Sequence, residues 1–135
     1  MRFDLDAIQC ELRRRGLDGW LLYDFHHRDP IAYRVLELEP GLATRRWYYF
    51  IPVEGTPRKL VHRIESGRLD SLPGSKQEYI SWEEQRRQVE GMLGAARKVA
   101  MQYSPLNAIP YVSLVDAGTV ELVRRLGKEV MSSAD

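Results

Sequence analysis

A chain of 135 residues and 15.7 kDa has the size of one domain, and its 44% hydrophobic and 29% charged residues exclude a disordered tail or a fibrous repeat. Twenty basic against nineteen acidic side chains leave a net charge of +1, without the basic excess of a nucleic-acid binder. The single Cys10, the lack of any apolar run near the ~20 residues of a membrane span, and the lack of a signal-peptide pattern at Met1–Asp6 lead us to expect a cytoplasmic domain.

The first predicted element is a helix. Asp4 caps it, Asp6 adds negative charge to its first turn, Arg13, Arg14 and Arg15 load its last turn, and Gly16 supplies a left-handed stop. Leu5, Ile8 and Leu12 form its packing stripe. A charge arrangement matched to the helix dipole accounts for the three arginines better than nucleic-acid binding does. Gly19 to Tyr23 is a continuous apolar run, as in a buried strand, and ends in the polar loop Asp24 to Pro30. Asp29 followed by Pro30 reads as an N-cap with proline at the first helical position. That helix should present Ile31, Val35 and Leu38 inward and stop by Pro40-Gly41.

Arg46 to Ile51 is predicted as a strand with large groups on both faces, and Lys59 to Ile64 as its antiparallel hairpin partner across a Pro/Gly-bearing turn. A connector over 66–75 leads to a short strand at Gln77 to Ile80. Ser81-Trp82-Glu83-Glu84 is a capping box for a helix presenting Trp82, Val89, Met92 and Leu93 to the core. Lys98 to Met101 is a strand, and Ser104 to Pro110 a loop bounded by prolines. A second capping box is expected at Ser113 to Asp116, opening a helix through Val120, Val123 and Leu126 that ends at Gly127. Glu129 to Met131 is the last strand. The sum is α/β: a mixed, about six-stranded sheet with helices on both faces, in one domain over residues 1–135.

No self-contained active site is legible. The three histidines, His26, His27 and His62, show no HExxH or CxxC context, and His62 in its strand reads as a structural histidine. There is no Gly-x-Ser-x-Gly elbow and no phosphate-cradling glycine loop. The aromatic run Trp47-Tyr48-Tyr49-Phe50 lacks the preceding glycine of an RNA-recognition strand and reads as a buried central strand. One loop, Asp24 to Asp29, gathers ionisable groups at a strand's carboxyl end, where ligands and partners dock in open sheets. It makes His26, His27, Arg28 and Asp29 candidates for cleft or interface contact; the other reading is that the loop only caps the next helix through Asp29-Pro30.

Several runs together resemble the N-terminal domain of the creatinase, prolidase and aminopeptidase P family. They are Gly-Leu-Asp-Gly-Trp-Leu-Leu-Tyr-Asp-Phe (16–25), Arg-Arg-Trp-Tyr-Tyr-Phe-Ile-Pro (45–52), Lys-Leu-Val-His-Arg-Ile-Glu (59–65), Tyr-Ser-Pro-Leu-Asn-Ala-Ile-Pro-Tyr-Val-Ser (103–113) and Asp-Ala-Gly-Thr-Val-Glu-Leu-Val (116–123). The resemblance covers the whole chain and implies a ribonuclease H-like fold. Many members carry an Asn-x-x-Tyr-Leu-Thr-Gly-like run after the first strand; here Asp29 to Val35 keeps Tyr33 and lacks the Asn and the Thr-Gly.

The resemblance further implies that catalysis belongs to a C-terminal pita-bread domain. There two divalent metals (Mn, Co or Zn), held by two Asp, one His and two Glu, activate water for Xaa-Pro peptide hydrolysis. None of those ligands has a counterpart here, so catalytic and metal residues in this chain are none. The implied role is non-catalytic: contributing to dimerisation and covering the active-site cleft. The implied partners are the chain's own catalytic domain, a second copy in a homodimer, and proline-containing peptides. A free-standing α/β partner- or ligand-binding module is the alternative reading.

Overall fold

The computed structural model describes residues 3–38 and 44–134. Helix α1 spans Leu5–Arg14 and is capped as its sequence predicts: the Asp4 carboxylate accepts from the Ala7 N–H, and Gly16 takes φ +68°. Strand β1 (Gly19–Asp24) is followed by α2 (Pro30–Leu36), with Asp29 as N-cap. The strands β2 (Trp47–Pro52), β3 (Arg58–His62) and β4 (Ser75–Tyr79) come next. The chain then runs through α3 (Trp82–Leu93), β5 (Lys98–Met101), α4 (Ala117–Arg125) and β6 (Glu129–Ser132).

Among the described residues these strands form one sheet in the order β4-β3-β2-β1-β5-β6. The β1/β5, β5/β6 and β3/β4 pairs are parallel, whereas β2 is antiparallel to both β1 and β3. Five strands therefore point one way and β2 alone points back, joined to β3 as the predicted hairpin.

The mixed α/β architecture follows from period-2 alternation in strands apolar on both sides. Tyr48 and Phe50 of β2 face one layer with Leu21, Tyr23 and Leu60, and α3 and α4 close it with Val89, Leu93 and Val123. Trp47, Tyr49 and Ile51 face the other layer, closed by Leu12 of α1 and by Ala32 and Leu36 of α2. All six residues of β2 are buried, which makes it the central strand expected from its aromatic run.

Four local expectations are corrected. In α2 the buried positions are Ala32 and Leu36; of the predicted inward residues Leu38 is buried and Val35 packs half-buried against the same core, whereas Ile31 is half-buried outside it, because the Asp29 cap fixes the rotation of a helix only seven residues long. The helix ends at Glu37, in the left-handed region at φ 53°; the expected stop at Pro40-Gly41 lies outside the described residues. In α3, Trp82 is 61% exposed rather than in the core, and Gln85 takes the first inward position, with Val89, Met92 and Leu93 after it. As the first residue of the helix, just after β4 ends at Tyr79, Trp82 lies at an open surface beside Ile80 and Gln85 rather than over the core. Ser81 accepts from the Glu84 N–H as predicted, but Glu84 accepts from Ile80 rather than from Ser81.

The cap of α4 is Asp116 and not Ser113. Asp116 Oδ1 accepts from both the N–H and the hydroxyl of Thr119. Ser113 is excluded from that role because it closes a 3₁₀ turn, and the next two N–H groups, of Leu114 and Val115, donate to the Gln102 carbonyl.

Candidate functional site

The strand order reverses direction between β1 and β5, and the crevice outside their carboxyl ends is where open α/β sheets bind ligands. The loop 24–29 fills that crevice with its own polar groups. Asp24, 1% exposed, accepts from the His27 N–H at 3.0 Å, the Asp29 N–H at 2.9 Å and the Tyr33 hydroxyl at 2.9 Å. Asp29 accepts from the Ala32 N–H at 2.9 Å and from the Gln102 side-chain amide. Burial pushes the Asp29 carboxyl above its ordinary value, against the stabilising bonds from Ala32 and Gln102.

The candidate residues therefore divide. Asp29 is buried, its carboxylate committed to the α2 cap and to Gln102. His26, His27 and Arg28 stand exposed on the outer side of the loop. His26 and His27 both adopt the left-handed region, at φ 59° and 57°, which non-glycine residues enter only when neighbours hold them there. His26 packs edge-on against Phe25, the Arg28 guanidinium lies 5.2 Å from the centre of that same ring, and His27 packs on Tyr33.

A second feature lies beside this loop, on the α3/α4 side of the sheet. An open cleft of about 570 Å³ is bounded by the carboxyl ends of β1, β3 and β4, the start of β2, and the first turns of α3 and α4. Tyr23, Phe25, Arg46, His62, Tyr79 and Gln85 line it, with Asp116 at one side. Burial pushes Tyr23 and Tyr79 up to about 12 and raises Tyr48 as well, so these phenols stay neutral hydrogen-bonding groups at neutral pH. Burial also works against the Asp116 charge. Bonds from Thr119 and Tyr23, with the nearby Arg46, outweigh it and hold that carboxyl below its ordinary value.

Sequence reasoning missed this cleft. His62 is the structural histidine expected, in that its Nδ1 accepts from the Ile64 N–H at 3.1 Å, yet it also faces the cleft. Arg46, Gln85 and Asp116 carry no motif; the one local signal was Trp82, a large apolar residue at the start of a helix whose inward stripe begins three residues later.

Arg13 and Arg14 fall in the last turn of α1 as predicted, with Arg15 at its C-cap; Arg14 and Arg15 also pair with Glu11, which the Arg14 hydrogen bond above all pulls down to about 2. No helix among the described residues is long and apolar enough to cross a membrane.

No protein-family profile and no curated protein matches the sequence. Solved structures do. The creatinase/prolidase N-terminal domain of an X-Pro dipeptidase from Streptococcus pyogenes matches with a TM-score of 0.67 at 15% identity, over 96% of this chain and 92% of that one. The fold is that of a creatinase/prolidase N-terminal domain. A proline dipeptidase structure from Streptococcus agalactiae gives a TM-score of 0.71 at 14% identity, covering 95% of this chain and 90% of its own. Prolidase from Pyrococcus horikoshii matches over 96% of this chain but only 32% of its own, with a TM-score of 0.65 at 14% identity. In that enzyme the creatinase/prolidase N-terminal fold is thus about a third of a longer chain.

Proposed function

We propose that this chain is the non-catalytic N-terminal domain of a cytoplasmic Xaa-Pro metallopeptidase, similar to prolidase and aminopeptidase P. In this reading it adjoins a pita-bread catalytic domain that binds two divalent metals, contributes to a homodimer, and covers the cleft where proline-containing peptides are cut. The observation that carries the reading is the sheet itself. An order of β4-β3-β2-β1-β5-β6 with β2 alone reversed matches, over nine-tenths of both chains, an N-terminal domain from an X-Pro dipeptidase.

Among the described residues no three His, Cys, Asp or Glu side chains converge on a metal-sized site. No step of the hydrolysis is therefore assigned to a metal held by this chain. What its own residues offer is position: His26, His27 and Arg28 are presented outward by a loop whose base is locked through Asp24 and Asp29.

The test has two arms. Residues 1–135, purified alone, should fold and hydrolyse no Xaa-Pro peptide with or without Mn²⁺ or Co²⁺; turnover above a buffer control would overturn the reading. In the product of the complete gene, at least one of His26→Ala, His27→Ala and Arg28→Ala should lower kcat/KM for a Xaa-Pro dipeptide or weaken the dimer in sedimentation. A gene that stops without a metal-binding domain would establish the alternative, a free-standing partner- or ligand-binding module, which the open cleft beside Arg46 favours.

A further inference from the structure

We propose that the cleft between β1, β3, β4 and the first turn of α3 is a binding site for a small organic carboxylate bearing an apolar group of amino-acid size. The site lies wholly within this chain, and the proposal does not depend on the peptidase reading.

Two deeply buried polar side chains are each satisfied at one atom only. His62 is 8% exposed. Its Nδ1 accepts from the Ile64 N–H, so the neutral ring carries its proton on Nε2. Tyr79 packs against the ring at 5.1 Å and near-perpendicular, fixing its plane. Gln85 is 3% exposed, and its Oε1 accepts from the Tyr48 hydroxyl at 2.5 Å. That bond orients the amide and leaves the NH₂ to donate. Both residues line the cleft, and neither the His62 Nε2 nor the Gln85 Nε2 has a partner among the described residues. Neither atom is shut off from solvent, so each opens to the cleft, where an incoming acceptor can reach it.

The charge has the matching sign. The Arg46 guanidinium lines the cleft and makes no hydrogen bond or ion pair among the described residues, although Asp116 shares its field. Arg45 stands at the rim. Glu65 secures the approach to β2 by accepting from the N–H groups of Thr44 and Arg45 at 2.8 and 3.0 Å. Asp116 has one oxygen taken by Thr119. Among the described lining residues two arginines therefore accompany one carboxylate, and the N–H donors of His62 and Gln85 add to the side that receives an anion.

An oxyanion with two acceptor atoms fits this set: a carboxylate takes a forked bond from arginine and further N–H groups at its remaining lone pairs. The described lining does not suit a metal ion, because among the described residues Asp116 is the one carboxylate in it.

The remaining wall is apolar. Phe25 and Tyr79 lie inside, and at the mouth Ile80 and Trp82 are 54% and 61% exposed. A volume of about 570 Å³ lies in the ordinary range for a small-ligand pocket. An apolar group covering Ile80 and Trp82 while its carboxylate meets Arg46 explains both the exposed side chains and the unpaired donors.

The experiment titrates the 135-residue chain with N-acetyl-L-leucine at neutral pH and, in parallel, with its uncharged amide. Binding is read by calorimetry and by ¹⁵N–¹H spectra of the Trp82 indole and the Gln85 side-chain amide. The acid should bind saturably and shift both signals; the amide should bind at least about tenfold more weakly, a difference of about 1.4 kcal/mol. Arg46→Gln, which disturbs no hydrogen bond or ion pair made by that side chain, should weaken the acid at least tenfold and leave the melting temperature in place. His62→Leu should weaken it as well, and His62→Gln, which restores an N–H at similar reach, should recover part of the loss. Arg124→Gln in the last turn of α4 serves as the control. The proposal is overturned by absent saturation up to about 10 mM, a range in which even weak small-ligand sites with −4 kcal/mol fill. Equal binding of acid and amide, or unchanged binding in Arg46→Gln, overturns it too. Peptidase assays do not enter these outcomes, so failure here leaves the proposed function standing, and the reverse holds.

Discussion

Replacing Asp24 by alanine tests the central geometric claim about the loop, that one carboxylate holds it. Asp24 is 1% exposed and accepts from two backbone N–H groups and from the Tyr33 hydroxyl, at 2.9 to 3.0 Å. Hydrogen bonds to a charged acceptor are worth about 1.5–3 kcal/mol each, and a buried donor left bare costs about 1–3 kcal/mol. The Asp29 N–H is buried and would be left so, whereas the His27 N–H and the Tyr33 hydroxyl are partly exposed and recover water. Relief of the desolvated carboxylate offsets part of the loss, giving a net cost of about 3 kcal/mol for Asp24→Ala. Against a typical stability of about 5–15 kcal/mol that is large, and for a chain of this size it lowers Tm by roughly 10 °C.

The same carboxylate holds His26 and His27 at φ 59° and 57°. Left-handed backbone costs a residue with a Cβ about 1–2 kcal/mol, so His27→Gly should stabilise the wild type by about 1 kcal/mol. Urea unfolding followed by far-UV circular dichroism measures both variants, with m unchanged. A loss below about 1 kcal/mol for Asp24→Ala would refute the reasoning, since it would mean that water replaces the carboxylate at every donor.

Three further outcomes are checked in the same way. Gly19→Ala places a Cβ 2.3 Å from Phe50 Cζ, so it should cost about 1–3 kcal/mol by overpacking, and Phe50→Leu in the same chain should restore part of it; full stability in the single variant would show that the ring moves freely. Gly127, just after α4, sits at φ +84° with open space around it, so Gly127→Val should cost about 1–2 kcal/mol through backbone strain alone, and an unchanged Tm would refute that assignment. Asp18 accepts from the N–H groups of Lys98 and Arg97, which hold its carboxyl below the ordinary value. A depressed folded pKa gives stability present above the unfolded pKa and lost as pH falls through the folded one. Unfolding free energy should therefore drop in acid, and Asp18→Asn should flatten that part of the profile; identical acid profiles would exclude Asp18 as a contributor.

Much of the fold was legible because its signals are local. Asp4 before α1, Asp29-Pro30 before α2, Ser81 before α3 and Gly127 after α4 act on groups within a turn of themselves, so neighbouring residues suffice to find them. The all-apolar β2 likewise announces burial on both faces. Errors arose where two local signals competed or where rotation mattered. Ser113 and Asp116 both precede α4, and only the pairing of the Leu114 and Val115 N–H groups with Gln102 decides between them. Trp82 lies at a helix start, and periodicity does not say that it stands at an open surface rather than over the core.

The candidate sites divide along the same line. The amino-acid sequence by itself determined the α/β class, the element order, the helix caps and the polar character of the loop at Asp24 to Asp29. Only the tertiary structure decided that Asp29 turns inward to Gln102 while His26, His27 and Arg28 face out. It also decided that Arg46, His62, Gln85 and Asp116, from four different elements, line a single cleft. The physical reason is that caps and strand burial depend on contacts a few residues apart. A cleft at the carboxyl edge depends instead on which strands are neighbours, and that order is set by the packing of both faces at once.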